Sequence, residues 1–262
     1  MEMSATVLGD LNSDGVYDRS DRVGILSSED YLAFMVNSMG YLYIQHKEDG
    51  TLVIDDPNDR FYRICDKYSN LLKSKAYLNV YPSFLDGTQD ANVMYGNMLN
   101  MFAQNQALFI YHKLYHVKSS VLRNMEPYGL LPSPKYDEAQ ENYITPVIND
   151  VAAIPGVVKD TVLSGTILEA LQYYTYQDVR PVYYDVALTR KGTRDADSEK
   201  MLDLIFQNPV CDFSYMFMDD IGNLFYGINS SAASYASFAQ SKYKQFRKKL
   251  DTIVKEAAEF QD

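Results

Sequence analysis

Strand-length apolar runs and helix-period stripes alternate through the first hundred residues, and this alternation constrains the fold more than any other feature of the chain. Residues 22–26, RVGIL, predict a strand, and Asp30 to Asn37 follows with helical spacing. The segment 41–54, YLYIQHKEDGTLVI, holds two extended runs joined by Asp49-Gly50, which is the turn chemistry of a β-hairpin. Phe61, Ile64, Cys65, Tyr68, Leu71 and Leu72 recur at helical spacing, as do Val93, Met94, Asn97, Met98 and Met101. Each set makes an amphipathic helix whose stripe belongs to a core rather than to a cofactor. From Ala107 the run ALFIY reads as a buried strand. Strands interleaved with helices favour a mixed α/β architecture over a bundle or a sandwich.

The second half continues with helices. Residues 119–126, SSVLRNME, predict a short one leading to GLLPSPK at 129–135, where Pro132 and Pro134 end regular pairing. Lys159 to Tyr174 is helical, and Pro181 is expected to restart a second helix through Tyr183, Tyr184 and Val186. Asp197 starts a helix with Met201, Leu204 and Ile205 on one face. The last helix runs from about Ala236 to Phe260, with the Lys and Arg of 242–249 on a solvated face. At 262 residues and 47% hydrophobic, the chain can bury a core as one large domain or as two lobes. Its 24 Lys plus Arg against 35 Asp plus Glu, a net charge of -11, argue against nucleic acid or anionic lipid as partners. Cys65 and Cys211 lie far apart without CxxC spacing and are expected as two buried free thiols. No apolar run approaches the ~20 residues of a membrane span, and MEMSATVLGD lacks the pattern of a signal peptide.

Chemistry concentrates in residues 10–21, DLNSDGVYDRSD. Oxygen donors fall at loop positions one, three, five, nine and twelve as Asp10, Asn12, Asp14, Asp18 and Asp21, with Gly15 at the sharp turn and Val16 able to offer its carbonyl. That is the register of a calcium loop, with Asp at position twelve where the helical EF-hand has Glu. The same letters also suit an Asx-rich turn that needs no metal. His112 and His116 are four apart, but ALFIYHKLYH reads as strand then loop and no neighbouring Cys or Glu completes a zinc set. The chain contains no GxSxG, HExxH, P-loop or GxGxxG, so catalysis has no support in these residues.

A resemblance rests on the order of several segments: DLNSDGVYDRSDRVGI, then ALF, LRNMEPYGLLPSPKYDEAQENY, TILEAL, YYDVAL, TRDADSEKMLDLIF and a final amphipathic helix. This order resembles the later part of bacterial extracellular solute-binding proteins, the type 2 periplasmic-binding-protein-fold receptors of ABC importers. Within that group it is most similar to lipoproteins of Gram-positive gut bacteria assigned to sugar uptake. The resemblance implies an α/β fold of two lobes with lobe one incomplete, as in an N-terminally truncated receptor without its signal and lipid anchor. Residues 1–106 and 210–262 would form lobe two, carrying the loop 10–21 with a structural calcium ion. Residues 107–209 would make the hinge crossing and the rest of lobe one. Strands near Gly129 to Leu131 and Ala152 to Ile154 would then lack sheet partners, and self-association would follow.

Solute recognition in that family occurs in the cleft between lobes. An aromatic soon after the crossing strand stacks on a pyranose in sugar-binding members, which makes Tyr111 and Tyr115 the ligand-binding candidates here. Many relatives carry a Trp-Gly pair where this chain has Asp219, Asp220, Ile221 and Gly222, and the chain has no Trp at all beside 23 Tyr and 12 Phe. Asp219 and Asp220 are candidates to accept sugar hydroxyls, or a loop carboxylate pair at a helix start. The function implied is extracellular binding of a solute, a carbohydrate by the resemblance, for delivery to the membrane subunits of an importer. The alternatives are a glycan-associated calcium-binding adhesion module, which would need a second loop, and a glycoside hydrolase, which would need two facing carboxyl groups.

Overall fold

The computed structural model describes residues 8–84, 90–125, 127–147, 152–184, 196–217 and 235–259. The central strand β1 (Val23–Ser27) is buried at all five positions, so it needs apolar cover on both faces and a partner on each edge. Its neighbours are β4 (Tyr77–Asn79) and β5 (Ala107–Ile110), giving a parallel sheet of order β4-β1-β5 with Leu26 opposite Leu78 and Ile25 opposite Phe109. Parallel neighbours require long crossovers. The first carries α1 (Glu29–Ala33), α2 (Met35–Ser38), the hairpin β2 (Gln45–His46) and β3 (Leu52–Val53), and α3 (Asp59–Leu72). The second carries α4 (Val80–Phe84) and α5 (Ala91–Ala103).

These crossovers build two cores. Ile25 joins Leu32, Val36, Tyr41, Tyr43, Phe61, Ile64 and Tyr68 in one, and Val23 and Leu26 join Leu78, Met94, Met98 and Met101 in the other. The α3 stripe is the one its spacing predicts, and Asn58 caps the helix by accepting from the Phe61 N–H at 3.0 Å. The final helix α11 (Tyr235–Glu259) lays Tyr243, Phe246 and Leu250 into the first core. Each such side chain contributes about 1.5–3 kcal/mol when fully buried. The Arg247 guanidinium clamps the helix by donating to the Ile54 carbonyl at 2.6 Å and to Asp56 at 2.7 Å, while Tyr41 and Tyr243 share a hydroxyl hydrogen bond of 3.0 Å.

Between these elements lie α6 (Ser120–Asn124), β6 (Thr145–Pro146), α7 (Thr161–Tyr174), α8 (Arg180–Val182), α9 (Ala196–Gln207), β7 (Pro209–Val210) and α10 (Ser214–Phe217). The structure departs from several expectations. The strand at Ala107 is buried only at its first residue, because β5 is an edge strand, and Leu108 is exposed. Pro181 does not restart a helix: α7 continues through a π-turn at Thr175–Val179 into α8, and the wider turn accommodates the missing proline N–H. Val186 lies outside the described residues. In α9 the fully buried residue is Leu202, with Met201, Leu204 and Ile205 only partly covered. Cys211 is half-buried rather than buried. Gly129 to Leu131 and Ala152 to Ile154 form no strand; among the described residues of that stretch pairing is confined to β6, parallel to β7. No described helix is long and apolar enough to cross a membrane.

Candidate functional site

The loop 10–21 is closed at its base by two backbone hydrogen bonds between Gly9 and Arg22, directly ahead of β1. Asp10 accepts from the Asp14 and Gly15 N–H groups, and Asp21, fully buried, accepts from Leu11 at 2.8 Å and Asp18 at 3.1 Å. Gly15 sits at φ +81, the left-handed conformation that the sixth position of such a loop demands. One carboxylate oxygen each from Asp10, Asp14 and Asp21 gathers within 4.8 Å of the others. Asp18 is outside this group and caps Ser20 instead at 2.7 Å. Asn12 donates to Asp14 at 2.9 Å, and the Val16 N–H donates to the same carboxylate. Every carboxylate oxygen has two lone pairs, so those bound to one N–H can still face a hard cation. The donor type fits calcium at loop positions one, five and twelve.

A second feature is a cavity of about 940 Å³ where the C-terminal end of β5, α1, α3 and residues 128–147 meet. Its wall includes Tyr31, Phe34, Tyr68, Phe109, Tyr111, Tyr128 and Tyr136. Tyr111 donates to, or accepts from, Ser133 Oγ at 3.2 Å, and burial pushes its phenol up to about 12. Tyr115, the other tyrosine candidate, is 57% exposed and outside the wall, with the Lys118 ammonium 3.6 Å from its ring centre. Asp219 and Asp220 lie outside the described residues.

The cavity is roofed by a strap from which regular structure is absent over residues 127–144, and side chains hold it in place. Gln140 is the hub: its amide N–H groups donate to the Ser38 carbonyl at 2.8 Å and the Asn142 carbonyl at 2.9 Å, while its oxygen accepts from Arg60 and from the Tyr136 N–H. Ser38 Oγ donates to the Pro134 carbonyl, and Lys67 donates to the Tyr136 carbonyl at 2.8 Å. The Lys67 ammonium also sits 3.9 Å from the Tyr136 ring centre, with the Arg60 guanidinium at 5.0 Å. The LPSPKYDEAQ stretch is therefore a fastening, its Tyr and Gln gripping α2 and α3. Periodicity could not reveal this, because the strap has no period.

His112 and His116 meet at the cavity wall with ring centres 4.4 Å apart, packed on Tyr95, and His112 lies 4.1 Å from Tyr31. Both His112 nitrogens lack a hydrogen-bond partner among the described residues. Burial, then the neighbouring His116 and Lys113, lowers the His112 imidazole to about 3, and burial lowers His116 as well. Among the described residues no Cys, Asp, Glu or third His completes a metal set with the pair. Beyond the cavity, buried Asp212 accepts from the Tyr43 N–H at 2.6 Å, the Asn37 amide at 3.3 Å and the Ser214 N–H at 3.0 Å. Sequence reasoning passed over this carboxylate, which ties the returning chain to the first core.

No protein-family model matches the chain, and comparisons with curated proteins and with solved structures return no significant match.

Proposed function

We propose that the chain is the solute-binding component of an ABC importer, working outside the cell, with a carbohydrate as its solute and a structural calcium ion in the loop 10–21. The observation that carries the reading is the aromatic cavity of about 940 Å³ at the end of the parallel sheet, within the size range of small-molecule sites. Open α/β sheets bind ligands beyond the carboxyl ends of their strands, and Tyr111 follows β5 at that end. Tyrosine faces offer apolar area to the CH side of a pyranose and a phenol for its hydroxyls. On this reading the fold is of the type 2 periplasmic-binding-protein kind, with 1–106 and 210–262 as one lobe and 107–209 as the crossing and part of the other. The packing of Tyr243, Phe246 and Leu250 of α11 against Ile25, Leu32 and Phe61 supports that grouping. Membrane subunits of an importer would be the protein partner.

The hydrolase alternative needs a pair of carboxyl groups at the ligand, and the described cavity wall supplies neither Asp nor Glu. The adhesion alternative has one loop to stand on. Titration calorimetry against a panel of mono- and disaccharides tests the proposal: saturable heat that falls at least tenfold in affinity with Tyr111→Ala supports it. Sugar release catalysed by the chain, or no heat from any solute, would overturn it.

A further inference from the structure

The sign of the charge around the cavity points to what it holds. Asp and Glu occupy 35 of 262 positions, so the 35 described residues of the wall would carry about five of them at the chain's own frequency; these described residues carry none. An apolar wall disfavours charge of either sign, yet Lys67, Lys113 and Lys135 are all part of it. No ion pair joins any of the three to a carboxylate among the described residues. Each ammonium instead faces an aromatic ring: Lys67 over Tyr136 at 3.9 Å, Lys113 over Tyr31 at 5.5 Å and Lys135 over Tyr143 at 4.9 Å. Such contacts contribute roughly 0.5–2 kcal/mol and leave ammonium N–H donors free to bind an anion. Lys67 commits one donor, to the Tyr136 carbonyl.

We propose that the cavity selects an anionic saccharide, a sugar acid whose ring lies against the tyrosines and whose carboxylate meets the ammonium groups of Lys67, Lys113 and Lys135. The inference rests on the cavity being the solute site. It explains how a chain of net charge -11, which repels anions at long range, offers one a local home. It also accounts for the composition of the wall: a neutral sugar calls for no fixed positive charge, yet the described wall carries three lysines and no carboxylate.

The test is calorimetry on the whole chain with digalacturonate and with its neutral counterpart, a digalactoside, at low and at high sodium chloride. Digalacturonate is expected to bind at least tenfold tighter, to lose most of that margin as salt rises, and to lose it again in Lys113→Gln and Lys135→Gln. Both lysines reach solvent and Lys113 is exposed, so these variants should fold, and the salt series needs no variant at all. Equal affinity for the two probes, or an acid preference indifferent to salt, overturns the anion selection and leaves solute binding standing. No heat from either probe overturns the selection together with the solute reading on which it rests.

Discussion

At the residue scale, two buried polar groups set measurable terms in stability. Asp212 satisfies three donors, two of them on Asn37 and Tyr43 far along the chain and the third the neighbouring Ser214 N–H. Asp212→Ala strands those donors, a loss of about 2–5 kcal/mol, which for a chain of this size lowers the melting temperature by roughly 5–15 °C. Thermal unfolding followed by circular dichroism checks this, and an unchanged midpoint would mean the three donors find other partners. His112 is held neutral, its imidazole lowered from 6.5 to about 3. A histidine whose folded value lies below its unfolded one contributes stability that is fully present above pH 6.5 and is lost as pH falls towards 3. Between pH 7.5 and 5.5 the loss from this group is about 1.4 kcal/mol. Urea midpoints at the two pH values measure it, and His112→Phe, which keeps a ring against Tyr31 and Tyr95, should flatten the difference.

At the element scale, the loop 10–21 and the strap 127–144 are irregular segments held by side chains. The loop hands directly into β1, so whatever orders it also anchors the start of the central strand. If calcium occupies it, millimolar calcium raises the melting temperature and a chelator lowers it, by RT ln(1 + [L]/Kd) or about 2.7 kcal/mol at a hundredfold excess over Kd. Asp14→Ala should abolish the shift while sparing the buried Asp21 contacts. Indifference of the parent chain to both calcium and chelator would make the loop an Asx turn without metal.

At the scale of the whole molecule, the helical run from Thr161 to Val182 has no buried residue. Val162, Leu163, Ile167, Leu171, Tyr173, Tyr174, Tyr176, Val179 and Val182 are all at least half exposed. Exposed apolar side chains in this number mark an interaction surface or an aggregation liability. The isolated chain is therefore expected to self-associate at micromolar concentration. Light scattering should find species larger than the monomer, and the double change Ile167→Lys and Leu171→Lys should restore the monomer with helicity kept. A clean monomeric parent would show that this face tolerates water alone.

What residue order determined by itself is the local and periodic part. The α3 stripe from Phe61 to Leu71, the Asp49-Gly50 hairpin, the last helix and the sharp turn at Gly15 were all legible, because each depends on neighbours within a few positions. Tertiary structure alone decided which tyrosine faces a cavity: Tyr111 lines it and Tyr115 does not, although both stand four residues apart in the same segment. It also decided that Gln140 and Lys67 fasten a strap, that Asp212 is buried, and that the charged side chains among the described residues of the wall around Tyr111 are all lysines. The physical reason is separation along the chain. Asp212 lies 169 residues from Tyr43 and Gln140 lies 102 from Ser38, and no periodic pattern encodes contacts between segments that only folding brings together.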